Sequence, residues 1–172
     1  MIVVPFTVND AELRKRFLEE MFPAALGELE PGTPPLWGGM TAQQMAEHLL
    51  WSFRCSTGAI VLPCATPETL LERVKRFLHD DRPMARGIMN PVLKEGLPTL
   101  EYPGLAVAVA ALRAEVDAFL WHRREEPDAV HMHPVFGPLS GEEWERSHFK
   151  HCHHHMQQFG VIVAQRNVRS DL

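Results

Sequence analysis

The chain has 172 residues, 45% of them hydrophobic and 23% charged, which suits one domain with a substantial core over residues 1–172. The formal net charge of −5 argues against nucleic acid as a partner, and no apolar run is long enough to span a membrane. Residues 1–10 lack the features of a secretory signal, and three cysteines without paired spacing suit a reducing compartment, so we expect a cytoplasmic protein.

The first predicted elements are a short apolar arm and a long helix. Pro5 excludes a helix over residues 2–6, so a strand-like strap over the core is expected there. Asn9 or Asp10 can cap the helix that follows, because their short side chains accept a hydrogen bond from an unpaired backbone amide. The apolar side of this helix consists of Leu13, Phe17, Met21 and Ala25.

A second long helix follows a loop rich in proline and glycine over residues 27–40. Thr41 and Gln44 form a capping box at its start. Its apolar stripe consists of Met45, Leu49 and Phe53. The residues that share a face with His48 are Gln44, Trp51 and Cys55. A lone histidine in this setting is more often a hydrogen-bonded core residue than a metal ligand, so His48 needs partners elsewhere in the chain.

The middle of the chain predicts a short helix, a long connection and a third long helix. Thr66 and Pro67 can start a helix over residues 67–79, whose inward residues are expected to be Leu70, Leu71, Val74, Phe77 and Leu78. The prolines and glycines of residues 80–104 predict a long crossing segment. The seam of the third helix is Leu105, Val109, Leu112, Val116 and Phe119. Residues 124–140 are expected to form the last loop.

The last predicted helix carries five of the ten histidines within eight residues. Ser140 and Glu143 form a second capping box, and Gly160 suits the left-handed position that closes a helix. His151 and His155 are four residues apart, so their rings lie one turn apart on one face and can share an ion. The inward face is expected to hold Trp144, His148, Cys152, His155 and Phe159.

The four long amphipathic helices predict an all-α fold. No alternating strand pattern follows residues 2–6, and no internal repeat is present. We therefore expect a four-helix bundle with a long helix-2 to helix-3 crossover that carries a short extra helix. His48 on the second helix can then meet His151 and His155 on the last helix at a common metal ion.

Two blocks of the chain resemble the DinB-like superfamily of damage-inducible metalloproteins, especially a bacterial branch of unknown function. The blocks are QQMAEHLLWSF, within residues 41–55, and HPVFGPLSGEEWERSHFKHCHHHMQQFG, residues 133–160. The resemblance implies a DinB-like four-helix bundle with a divalent metal, usually zinc or nickel. The ligands that it implies are His48, His151 and His155.

The ending of the last helix adds one residue to the implied site. The resemblance places Gln158 near the metal, since a glutamine follows the histidine doublet at this spacing in the superfamily. Met156 and Gln157 stand where many relatives have an arginine and a glycine, so no role of that arginine is carried over.

The last helix also offers a rival ligand pair. His148 and Cys152 are four residues apart and lie nearer the centre of the apolar face than His151 does. A buried cysteine is more often a small hydrophobic residue, which favours the histidine pair. His153 and His154 are expected to face solvent or the rim of the site. Trp51 and Phe159 are candidates for the wall of a cofactor or substrate pocket, with plain core packing as the alternative.

Three neutral imidazoles leave a coordination position for water or substrate, which is typical of catalytic metal sites. The ion could activate water, or it could activate a low-molecular-weight thiol such as bacillithiol, mycothiol or glutathione, as the resemblance implies. The chain is thus expected to be a thiol S-transferase or hydrolase acting on a small molecule. Neither Glu47 nor Glu145 is placed as a general base, so no catalytic residue is assigned.

The alternative function is non-catalytic: the metal ties two helices together, or a bound ligand is sensed. The apolar residues 106–111 would also permit a homodimer, although the same residues could belong to the core.

Overall fold

Helices form most of the chain, and four short strands flank them. The computed structural model describes residues 1–87 and 99–165. The elements are β1 (Ile2–Pro5), α1 (Ala11–Arg16), a π-helical segment (Phe17–Met21), α2 (Phe22–Leu26), α3 (Ala42–Ser56), α4 (Glu68–Lys75), a 3-10 turn (Arg76–His79), α5 (Leu105–Glu125), β2 (Val130–His133), β3 (Gly137–Ser140), α6 (Gly141–Gln158) and β4 (Ile162–Gln165). None of the described helices combines the length and apolarity needed to cross a membrane.

The predicted all-α four-helix bundle is wrong, because the fold is mixed α/β with two small two-stranded sheets. In the first sheet β1 runs parallel to β4, with Ile2 opposite Ile162 and Val4 opposite Ala164. This pairing joins the start of the chain to the segment that follows α6. The expected strap over residues 2–6 is therefore a paired strand.

The second sheet is the β2–β3 hairpin, which lies where the last loop was predicted. Its register places Val130 opposite Ser140 and His133 opposite Gly137. Gly137 has a φ of 74°, the left-handed conformation that closes a three-residue hairpin turn with little strain. Each strand has only four residues, which is too short for an alternating pattern to stand out from a loop.

The first helix is continuous from α1 through the π-helical segment to α2. Asp10 is its cap, since the Asp10 carboxylate accepts a hydrogen bond from the backbone amide of Leu13 at 2.9 Å. Leu13, Phe17 and Ala25 are buried as predicted, and Met21 is half-buried. This helix therefore supplies one wall of the core.

Helices α3 and α5 form the most extensive helix pair of the core. The capping box of α3 is complete: the Thr41 hydroxyl accepts from the Gln44 amide, and the Gln44 side chain accepts from the Thr41 amide. The buried residues of this pair include Met45, Leu49 and Phe53 from α3 and the whole predicted seam of α5. Burial of one such apolar side chain stabilises the fold by about 1.5–3 kcal/mol.

The short helix predicted over residues 67–79 is present but lies at the surface. It begins after Pro67 with no side-chain cap, and α4 contains no buried residue. Leu70 is 43% exposed, and only Leu78 of the five residues expected to point inward is buried. Of the predicted crossing segment 80–104, residues 88–98 lie outside the described part of the chain.

Helix α6 lies at the centre of the fold and contacts α1, α2, α3, β3 and β4. Its capping box at Ser140 and Glu143 is complete, and Gly160 closes it with a φ of 68°. Its first turns are anchored by Glu145, which is 4% exposed and forms ion pairs with Arg14, at 2.7 Å, and with Arg123. These ion pairs tie the start of α6 to α1 and α5.

Candidate metal centre

The side chains of His48, His151 and His155 converge between α3 and α6. Nε2 of His151 lies 2.9 Å from Nε2 of His48 and 3.1 Å from Nε2 of His155. One ligand nitrogen from each ring falls within 4.8 Å of the other two. The structure thus brings together the three histidines that the sequence proposed as a group, and together they could hold a metal ion.

The orientation of the His155 ring is set by a hydrogen-bond chain. The side-chain amide nitrogen of Gln158 donates to the backbone carbonyl of Trp37 at 2.8 Å, so its oxygen Oε1 faces His155. Nδ1 of His155 therefore donates to that oxygen, at 2.7 Å. A neutral imidazole with hydrogen on Nδ1 presents a lone pair at Nε2, the atom that faces the other two rings.

A hydrogen bond between rings can account for only one of the two short nitrogen contacts of His151. Each ring nitrogen carries one hydrogen or one lone pair in the ring plane, so Nε2 of His151 can align one hydrogen bond but has two close nitrogen neighbours. Desolvation by the surrounding protein lowers the pKa of His48 to about 4 and that of His155 to about 3. Desolvation likewise lowers the pKa of His151, with a further contribution from the other two rings. The rings are therefore neutral at pH 7.

The imidazole donors and two of their three nitrogen separations suit a divalent ion. With metal–nitrogen bonds of about 2.0–2.1 Å, neighbouring ligand nitrogens lie roughly 3–3.5 Å apart, close to the two short distances observed here. Imidazole nitrogen is a preferred ligand of zinc and nickel among other transition metals. His48 and His151 are half-buried, whereas His155 is 7% exposed, so the open side of the cluster lies at the first two rings.

Among the described residues, the carboxylates nearest in sequence to the three histidines are bound to other groups. Glu47 accepts hydrogen bonds from the backbone amide of Glu101 at 2.7 Å and from the side chain of Gln43 at 2.9 Å. Glu145 is held by the ion pairs with Arg14 and Arg123. The metal-ligand group found in the described residues contains histidines only, so the protein ligands would leave the charge of a divalent ion uncompensated.

The rival pair, His148 and Cys152, belongs to the core instead. The His148 ring stacks on Phe53 with centroids 3.8 Å apart, and its Nε2 lies 2.8 Å from the Ser56 hydroxyl. Cys152 is fully buried, and burial raises the pKa of its thiol well above the usual value. Neither side chain belongs to the metal-ligand group of the described residues.

Of His153 and His154, only His153 lies in a different environment from the one expected. His153 was expected at the surface or rim, but it is 1% exposed and packs against Phe6, with ring centroids 4.8 Å apart, and against Phe17. His154 is half-buried beside Trp37, with ring centroids 5.6 Å apart. Because α6 is enclosed on several sides, its polar residues are not all directed to solvent.

Comparison of the chain with protein-family models, curated proteins and solved structures found no match. The geometry of the histidines is therefore the basis for inferring a function.

Gln158, which was expected near the metal, and Trp51, which was expected in the wall of a cofactor pocket, have different surroundings. Gln158 is buried and holds His155, so it touches a metal-ligand candidate and not open space. Trp51 is half-buried against the hydrophobic core. In the described part of the chain, the ring contacts of His48, His151 and His155 are with one another and with His154, and Trp51 is not among them.

The loop over residues 27–40 also supports the site, which the sequence did not predict. The Leu36 amide donates to the Gln158 backbone carbonyl at 2.7 Å, and the Trp37 carbonyl holds the Gln158 side chain. Gly38 has a φ of 77°, and a Cβ there would lie 2.8 Å from Nε2 of Gln158. The glycines of this loop were visible in the sequence, but nothing local indicated which helix end they approach.

Proposed function

We propose that the chain is a DinB-like metalloenzyme that uses a zinc or nickel ion on His48, His151 and His155 to activate a small-molecule thiol. The observation that carries this proposal is the convergence of three Nε2 atoms without a carboxylate in the group. A closed structural zinc site uses four protein ligands, whereas catalytic sites keep a position open.

The chemistry that a divalent ion supplies there is Lewis acidity, which favours the ionised form of a thiol or of water. The chain's own residues supply the donor set and its orientation. Gln158 holds His155 in the tautomer with a free Nε2 lone pair, and the neutral state of the three rings keeps their lone pairs available. His48 and His151 are half-buried, so part of each side chain remains accessible to solvent.

A thiol is favoured over water because of what surrounds the site. Hydrolysis usually needs a general base to accept a proton from water, and the carboxylates of Glu47 and Glu145 are committed to other partners. A thiol ionises more readily than water, and its sulfur is then itself the nucleophile. The resemblance of residues 41–55 and 133–160 to the DinB-like superfamily, several members of which use a low-molecular-weight thiol, supports the same choice. An S-transferase is thus our first proposal, and a hydrolase the second within this class.

Metal analysis of the purified, untagged protein is the first test. We expect about one zinc or nickel per chain in the wild type and a large loss in both His48→Ala and His151→Ala. The second test replaces the metal by cobalt and follows the visible spectrum while a thiol is added. A spectrum that is unchanged by thiols would exclude thiol activation, and full metal content in both variants would exclude the site itself.

A structural role for the metal is the second candidate function, because the ligands come from two helices. His48 on α3 and His151 and His155 on α6 would be tied by one ion, much as His148 and Ser56 tie the same helices by a hydrogen bond. A large fall in melting temperature without metal, together with a cobalt spectrum that no added ligand changes, would favour this role.

A further inference from the structure

Arg86 is exposed, yet its guanidinium group is held against an aromatic ring. Its guanidinium carbon lies 3.8 Å from the centroid of the Trp37 ring, on which it stacks. The Trp37 ring in turn contacts His154 edge-on, and the Trp37 carbonyl holds Gln158. Among the described residues, Arg86 has no carboxylate partner.

The segment that carries Arg86 runs along α6 beside the histidine cluster. The Lys150 ammonium donates to the carbonyls of Phe77 at 2.5 Å and Arg82 at 2.8 Å, which holds the start of this segment against α6. Further along, Arg86 stacks on Trp37, and Trp37 contacts His154 of α6 edge-on. His154 is three positions after His151, about 60° away around the helix. Arg86 is thus placed beside the face that holds the ligands.

The charges of this region favour an anion. Three neutral imidazoles leave a divalent ion with its full charge, and Arg86 adds another positive charge at the side of the cluster. Stacking on Trp37 restrains the planar guanidinium group, and the N–H groups at its edge lie in the same plane. A planar fork held in this way fits the two oxygens of a carboxylate through parallel hydrogen bonds.

We propose that Arg86, supported by Trp37, binds a carboxylate of the small molecule whose other end occupies the histidine site. The inference rests on the proposed function and adds to it a substrate class, an acidic thiol. Arg86 is then a specificity residue: it selects acidic over neutral thiols and takes no part in the activation of the sulfur.

Two matched thiols test this assignment on the cobalt-loaded full chain. Glutathione and glutathione diethyl ester have the same thiol and similar length but differ in the charge of their carboxyl groups. Titrations followed by the visible spectrum are expected to show wild-type protein preferring the acid about tenfold or more. In Arg86→Gln this preference should fall severalfold, towards the part that the charge of the metal ion alone contributes, with the affinity for the ester unchanged.

Arg124→Gln is the matched control, because it removes the same charge from an exposed position at the end of α5. It should keep the wild-type preference. An unchanged preference in Arg86→Gln, or an equal loss in both variants, would overturn the role of Arg86, the latter pointing to general electrostatics.

A dicarboxylate separates failure of this inference from failure of the proposed function. If neither thiol changes the cobalt spectrum, thiol activation fails, and binding of adipate and of its neutral diamide, adipamide, is then measured by the shift in melting temperature. Weaker adipate binding in Arg86→Gln, with adipamide binding unchanged, would retain the carboxylate site. Equal effects on adipate and adipamide would exclude it.

Discussion

Gln158 accepts a hydrogen bond from Nδ1 of His155 at 2.7 Å, and this contact decides which ring nitrogen faces His48 and His151. The amide can hold only this orientation, because its nitrogen donates to the carbonyl of Trp37. Partners of this kind, one shell outside the ligands, tune metal affinity as well as ring orientation.

Replacing Gln158 with alanine should weaken metal binding without abolishing it. The His155 ring loses the acceptor that selects its tautomer, so we expect a roughly 10–100-fold lower affinity, measured by competition with a coloured chelator. Gln165→Ala, at an exposed position in β4, is the control and should bind metal like the wild type. Wild-type affinity in Gln158→Ala would show that the hydrogen bond has no effect on the ligand.

Adding a methyl group at Gly38 should disturb the same hydrogen-bond chain from the other side. Its φ of 77° disfavours any L residue, and the new Cβ would lie 2.8 Å from Nε2 of Gln158. We expect Gly38→Ala to lose about 1–3 kcal/mol of unfolding free energy and to bind metal less tightly. Gly39→Ala meets no atom within 4 Å and should behave like the wild type in urea unfolding and in chelator competition. Equal effects of the two variants would contradict this explanation.

The parts of the fold that could be predicted are those encoded over short distances in the chain. A capping box needs two residues three positions apart, and both Thr41 with Gln44 and Ser140 with Glu143 form one. The pairing of His151 with His155 follows equally from helical spacing. The meeting with His48 was a long-range inference, and it succeeded because the two helices that carry the three rings were both recognised.

The parts that could not be predicted depend on long-range contacts. The β1–β4 sheet pairs Ile2 with Ile162, and nothing in either strand indicates its partner. The packing of Trp37 and Gly38 over Gln158 is likewise tertiary. His153 was misplaced because a polar sequence was read as an exposed helix surface, whereas aromatic side chains enclose this ring.

Cys152→Ala should separate core packing from metal binding. Because Cys152 is fully buried and lies outside the metal-ligand group of the described residues, its loss should leave the metal content unchanged and reduce the unfolding free energy by about 1 kcal/mol. His151→Ala should have the opposite pattern in metal analysis, with most of the metal lost. Loss of metal from Cys152→Ala would reinstate the thiol as a ligand.

His133, which is not one of the proposed metal ligands, is expected to make the stability of the fold depend on pH. Its Nδ1 accepts hydrogen bonds from the backbone amides of Val135 at 3.0 Å and Phe136 at 3.2 Å, so a proton on this atom would face two donors. Burial lowers the pKa of His133 to about 3, whereas an unfolded histidine has a pKa of about 6.5. Between these values the unfolded chain binds the proton and the folded chain does not. Stability therefore falls as the pH decreases from about 6.5 to 3, and it is fully retained above that window.

His133→Asn tests this linkage, since the asparagine oxygen can replace Nδ1 as acceptor but does not take up a proton in this range. Urea unfolding of metal-free protein at several pH values between 7.5 and 4.5 should show a shallower acid decline in the variant than in the wild type. One proton fewer corresponds to a slope difference of about 1.4 kcal/mol per pH unit in the middle of the window. The other buried histidines are present in both proteins, so the difference between the two curves reports His133 together with its electrostatic coupling to His148 and His151. Parallel curves would show that His133 is protonated in the folded state and that its acceptor role is wrong.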